Sequence, residues 1–187
     1  MTSPIRRAAR APADAFAIPL LFVLGALALV ACAPALNWRD VRPEGSGAQL
    51  LFPCKPDVQE RRVALAGPPV RLTLNACNAG DLTWALAHAD VTDPARVGPA
   101  LAALQAGAAI NLGAPPATWT PQAVPGATPQ PGSGHARLAG QRPDGQPAQM
   151  QVLVFAHGTQ VFQASVVGAA VSEEAALAYF TSIRLLP

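Results

Sequence analysis

From residue 61 onward, apolar and polar positions alternate with a period of two, and clusters of turn-forming residues break the alternation at regular intervals. The runs Arg61 to Leu65, Val70 to Ala76 and Leu82 to Ala89 are separated by Gly67-Pro68-Pro69 and Asn78-Ala79-Gly80-Asp81, which predicts three strands joined by tight turns. Val70, Leu72 and Leu74 share one side of their strand, as do Leu82, Trp84 and Leu86 on the next. An antiparallel meander with one buried face follows from this pattern. Upstream, Trp38 to Val41 begins a strand that Glu44-Gly45-Ser46-Gly47 breaks. Gln49 to Phe52 forms a second strand, which ends at Pro53-Cys54-Lys55-Pro56, where proline forbids a central ladder position.

The period then changes. Asp93-Pro94 is a helix-start signal, Val97, Leu101, Leu104, Ala108 and Leu112 recur at helical spacing, and Gly113 fits the stop. Gly98-Pro99 either kinks this helix or marks its true start. Proline and glycine dominate residues 113–135, so a long surface loop is expected there, with mobility. Within it Trp119 either docks the loop onto the core or stands as an exposed aromatic contact. Strands resume at Ala136 to Arg142, Ala148 to Ala156 and Thr159 to Val167, with Asp144-Gly145 and His157-Gly158 as hairpin turns. Ser172 caps a closing helix from Glu173 to about Ser182, its acidic pair placed in the first turn. Leu177 and Phe180 are expected on its inner face, Tyr179 at its edge, with Ile183 to Leu186 packing the tail. The fold class is α+β: an antiparallel sheet covered by helices.

Ahead of this domain lies a stretch of another kind. Arg6, Arg7 and Arg10 precede a nearly continuous apolar run, Ala15 to Val30, that ends among small residues, the layout of a secretory signal. The run is shorter than the roughly 20 residues a spanning helix needs, and Pro19 interrupts it. At its end Leu29-Val30-Ala31-Cys32 resembles the lipobox of bacterial lipoproteins. The resemblance implies cleavage before Cys32, a diacylglyceryl group on its thiol and acylation of its freed amine, enough chains to hold the protein at a membrane. Ala33, rather than Asp, after the lipidated cysteine implies an outer-membrane destination. Residues 1–31 are then the signal peptide, 32–36 a short tether and 37–187 a single domain.

Removing the leader changes the charge picture. Three of the thirteen Lys and Arg and one of the eleven Asp and Glu lie in it, which leaves ten of each. The basic pI therefore belongs to the signal, and a neutral domain without a cationic cluster offers no footprint for nucleic acid. Arg61-Arg62 is its only basic pair and reads as part of a solvated strand or turn. With Cys32 lipidated, two of the three cysteines remain, and in an oxidising periplasm Cys54 and Cys77 are expected to pair.

The order of elements adds a further resemblance. Leu51-Phe52-Pro53-Cys54-Lys55-Pro56, the segment Leu104 to Leu112, Gln160 to Gly168 and Ala178-Tyr179-Phe180-Thr181-Ser182-Ile183-Arg184-Leu185-Leu186 together look like the fold shared by the Mog1 and PsbP proteins. Leu36-Asn37-Trp38-Arg39 likewise resembles the start of bacterial lipoproteins of unknown function that carry such a domain. The resemblance implies an α/β/α sandwich with a binding or assembly role, and it transfers no catalytic residue.

Candidate chemistry is sparse. His88, Asp90 and Asp93 form the only cluster of His with carboxylates, but Asp93 is accounted for as a helix cap and Asp90 as a strand-end residue, so no metal site is assigned. Ser165 lacks the flanking glycines of a nucleophile elbow and is expected to fill a small place on the sheet. Gly132-Ser133-Gly134 starts like a dinucleotide fingerprint, but Arg137 stands where the last glycine belongs. His135 and His157 are read as solvated turn residues. No catalytic residue, cofactor or metal is assigned, and Trp84 is core. Trp38 and Trp119, least demanded by periodicity, are the candidate partner contacts. The expected function is a non-catalytic, lipid-anchored interaction or assembly module on the periplasmic side of the outer membrane. It would meet the membrane through its lipid, together with an envelope protein. The alternative is a carrier or sensor for a small apolar ligand held between sheet and helices, with a hydrolase third.

Overall fold

The computed structural model describes residues 36–142 and 144–186. The leader, the Leu29 to Cys32 motif and residues 33–35 lie outside the described residues. The described residues fold as nine antiparallel strands with two helices, an α+β architecture. In order these are β1 (Arg39–Val41), β2 (Ala48–Phe52), β3 (Asp57–Ala64), β4 (Pro69–Ala79), β5 (Leu82–Asp90) and α1 (Val97–Asn111). Then follow β6 (Gly134–Gln141), β7 (Pro147–His157), β8 (Gln160–Gly168), α2 (Glu173–Thr181) and β9 (Arg184–Leu185). A six-stranded sheet runs β3-β4-β5-β8-β7-β6, and a separate three-stranded sheet runs β1-β2-β9.

Both faces of the large sheet are buried, and this corrects the expectation of one buried face. Leu72 lies opposite Ala89 and packs toward α1, whereas Cys77 lies opposite Trp84 and packs toward the small sheet and α2. Val70, Leu72 and Leu74 therefore point away from the side that Leu82, Trp84 and Leu86 occupy. The alternation of β4 and that of β5 are each real, but the register sets them on opposite faces. A sheet covered on both sides carries apolar residues at consecutive positions. β7 does this, with Met150 to Ala156 buried without a break.

Each helix owes its position to its apolar stripe and its cap. The Asp93 carboxylate accepts from Ala95 N at 2.9 Å, opening a short 3-10 turn, Pro94–Arg96, that runs into α1. Gly98-Pro99 thus falls in the first turn of α1, where a missing proline N–H costs nothing. Val97, Leu101 and Ala108 are buried against the sheet, with Leu104 partly so. Arg96 holds the approach in place, donating to the carbonyls of Val91, Leu65 and Pro68 at 3.0, 3.2 and 3.0 Å. In α2 the buried residues are Ala176, Tyr179 and Phe180, while Leu177 is 63% exposed. Tyr179, expected at the edge, is the inward residue, and its hydroxyl donates to Ala85 O at 2.9 Å.

Residues 113–133 are pinned rather than loose. Thr120 exchanges hydrogen bonds with His135 at 2.9 and 2.8 Å, and Thr128 N donates to Ala156 O at 2.8 Å, so the segment is fastened to the free edge of β6 at one point and to β7 at another. Gly134 makes this approach feasible, because a Cβ there would sit 2.8 Å from Thr120 O. Among the described residues β3, whose residues are nearly all exposed, has no such cover.

Candidate functional site

Three neighbouring strands carry polar residues on the face that is elsewhere filled by Trp84, Leu86 and Phe162. Thr73 of β4 lies directly opposite His88 of β5, and Asn75 is two residues on, opposite Leu86. His88 in turn lies opposite Phe162 of β8, and Asp90 opposite Gln160. Directly opposed residues share a face and diagonal ones lie within about 8 Å. Asn75, His88 and Gln160 thus converge from three adjacent strands. Beside the turn between β1 and β2, where Glu44 and Gly45 pass, this patch opens into a groove of about 500 Å3. Val58 and Glu60 of β3 and Arg71 of β4 line it as well.

Burial gives the groove its character. Asn75 is 2% exposed and His88 7%. Asn75 Nδ2, His88 Nε2 and Gln160 Oε1 are buried atoms without a hydrogen-bond partner among the described residues. Buried polar groups are nearly always satisfied, and leaving one unsatisfied costs about 1–3 kcal/mol. Three in one groove is therefore a specific arrangement rather than background. The Gln160 side chain spends its other end on the turn, donating from Nε2 to Gly45 O at 3.0 Å, which ties the overhanging segment to the floor. The His88 ring lies against Phe162, centroids 6.1 Å apart and planes 24° from parallel. Burial lowers the His88 pKa from its ordinary value, against the opposing pull of the Glu60 charge, so the ring is neutral near pH 7. At the rim Arg71 and Glu60 pair at 3.6 Å, both side chains being more than half exposed, a pair of little energetic weight.

The residues singled out from the sequence are scattered over the fold. Trp38 is half-buried, its ring edge-on to Trp84 at 5.6 Å, and with Leu36, Leu82 and Ala175 it lines a shallow concavity beside α2. Trp119 packs on the α1 side, so the two tryptophans lie on opposite faces of the sheet and do not form one surface. Asp90 ends β5 and accepts from Thr92 N at 2.7 Å, Asp93 caps, and His88 faces the groove. Ser165 is buried within β8, between Ala85 and Val152. Gly132 packs against Leu101, and Gly134 opens β6.

Of the two remaining histidines, His135 departs from the reading of it as a solvated turn residue, whereas His157 is exposed as that reading has it. His135 belongs to β6, with Nε2 3.2 Å from Gln151 Oε1 and its ring edge-on to Phe180. His157 ends β7, is exposed, and donates from Nδ1 to Gly126 O at 2.8 Å, fastening the long connection. Asn75 and Gln160, in contrast, were not anticipated from the sequence. Asn75 sits in an alternation whose apolar members face α1, so a sequence reading assigns it to solvent. The usable signal was Cys77: a half-cystine two residues on must point inward, and Asn75 and Thr73 share its side.

The chain matches no family model and no curated protein.

Proposed function

We propose that this chain is a lipid-anchored interaction or assembly module of a bacterial cell envelope, held on the outer membrane through Cys32 and facing the periplasm. The observation that carries the reading is the order of two features: Leu29-Val30-Ala31-Cys32 closes an apolar leader, and a packed domain follows from residue 37. A tether of residues 32–36 keeps that domain close to the lipid surface. The disulfide between Cys54 and Cys77 supports export to an oxidising compartment. Among the described residues no helix is long and apolar enough to cross a membrane. Attachment by an acylated N-terminus is compatible with that.

The layering, α1 on one face of the sheet and α2 with the small sheet on the other, supports a Mog1/PsbP-like sandwich as the fold-level reading. Fold analogy names no partner. The groove supplies the local argument for binding: an amide nitrogen, an amide oxygen and an imidazole nitrogen buried without partners form a set suited to holding a polar group. The rival, an apolar ligand between sheet and helices, has to displace Trp84, Phe155 and Phe162, which already fill that space.

A photo-crosslinking side chain placed at Val58, exposed on the groove wall, tests the reading in intact cells. The expected outcome is a discrete protein adduct from Val58 that is absent when the same group replaces Ile110 on α1. Identical patterns from both positions, or none from Val58, contradict a binding role for this face.

A further inference from the structure

We infer that the groove beside Glu44 and Gly45 receives a short extended basic peptide segment, whose successive main-chain groups pair with Asn75 and Gln160 while its cationic side chain meets the carboxylates at the rim. The inference takes from the preceding reading only that the domain is a binding module.

The floor presents a donor and an acceptor at its two ends, on β4 and β8 with β5 between them. Asn75 Nδ2 is a buried donor and Gln160 Oε1 a buried acceptor, both without partners, and both line the same groove. An extended chain offers a carbonyl to the first and, further along, an N–H to the second. His88 Nε2 lies between them in the strand order, and as a neutral ring it serves as donor or acceptor according to its tautomer. Aliphatic ligands would leave all three groups unsatisfied.

The rim selects the charge. Glu44, Glu60 and Asp90 line the opening against a single cation, Arg71, which is already engaged by Glu60 at 3.6 Å. The remaining field is negative, so a lysine or arginine side chain is favoured and an acidic one opposed. A volume of about 500 Å3 lies within the range of ligand sites and suits a few residues of extended chain. The neighbouring strand β3 is exposed along its length, so nothing on that side bars a longer chain from entering.

Calorimetric titration of the full-length, detergent-solubilised protein tests this with three probes: acetyl-Gly-Lys-Gly-amide, acetyl-Gly-Glu-Gly-amide and n-butylamine. Saturable one-to-one binding of the lysyl peptide is expected, at least about tenfold tighter than either comparator. The His88 ring resonances should move with saturation while those of His157 stay fixed. Asn75→Leu removes the buried donor and Glu60→Lys reverses a rim charge. Each is expected to weaken lysyl-peptide binding by at least about tenfold, and Asn75→Leu should do so without lowering Tm. Should Asn75→Leu fail to fold, the exposed Glu60→Lys decides alone. No saturable binding, equal binding of the glutamyl peptide, full binding of butylamine, or variants that bind like the parent would each overturn the assignment. The titration uses free peptides and does not depend on the anchor. A protein that binds the lysyl peptide yet carries no lipid at Cys32 would sink the envelope reading and leave the groove assignment standing.

Discussion

Replacing Trp84 with alanine is expected to cost about 3–5 kcal/mol of folding stability, the range for deleting a fully buried large aromatic side chain. Trp84 is 0% exposed and lies at the meeting point of the layers. Its ring stands edge-on to Trp38 at 5.6 Å and to Tyr179 at 5.4 Å, and its Nε1 donates to Ala79 O at 3.0 Å. Truncation would leave a cavity that Tyr179 cannot fill, because its hydroxyl is fixed on Ala85 O. At about 2–4 °C per kcal/mol for a domain of this size, Tm should fall by about 10 °C. Leu177→Ala is the control: the side chain is 63% exposed, and the change should stay within about 0.5 kcal/mol. Thermal unfolding followed by circular dichroism checks both, and a loss at Trp84 no larger than at Leu177 would refute the packing described for this face.

The second large effect is expected from the bridge. Cys54 follows β2 and Cys77 lies in β4, so the disulfide fastens the small sheet to the large one across a separation of 23 residues. Closing a loop of that length restricts the unfolded chain by about 3 kcal/mol in the entropy model. The double variant Cys54→Ala/Cys77→Ala should therefore unfold at a urea midpoint lower by about 1–2 M, taking a typical dependence for a domain of this size. The parent protein in reductant should behave similarly. An unchanged midpoint would mean that the small sheet holds its place without the bridge. The strand most freed by its loss is β3, which lies between the two cysteines and, among the described residues, pairs only with β4.

Sequence alone was informative where a local rule acts and silent where register decides. The α1 stripe, the Asp93 and Ser172 caps, the hairpin turns and the cysteine pair each follow from residues close in sequence or from compartment chemistry. The two-sided burial of the sheet does not. It depends on whether Leu72 or Cys77 shares a face with Trp84, and the Ala89 and Trp84 pairings of β4 settle that only once β5 is in place. The same ambiguity hid the groove. Asn75 looks solvent-facing beside Leu74, and Gln160 looks like a turn residue beside His157-Gly158. Their convergence on His88 arises across β4, β5 and β8, which α1, β6 and β7 separate along the chain. In α2 Leu177 and Tyr179 take each other's expected places, Leu177 being 63% exposed, because a large side chain with a polar end suits an edge or an interior equally until Ala85 O is found to accept from it.

Mass spectrometry of the N-terminal peptide from protein purified out of bacterial membranes tests the central claim most directly. The account predicts a peptide that begins at Cys32, with a diacylglyceryl group on its sulfur and an acyl chain on its amine. That modification should vanish, together with membrane retention, in Cys32→Ala. A peptide that retains the leader, or one in which Cys32 carries a free thiol while the protein still sediments with the membrane, would contradict it.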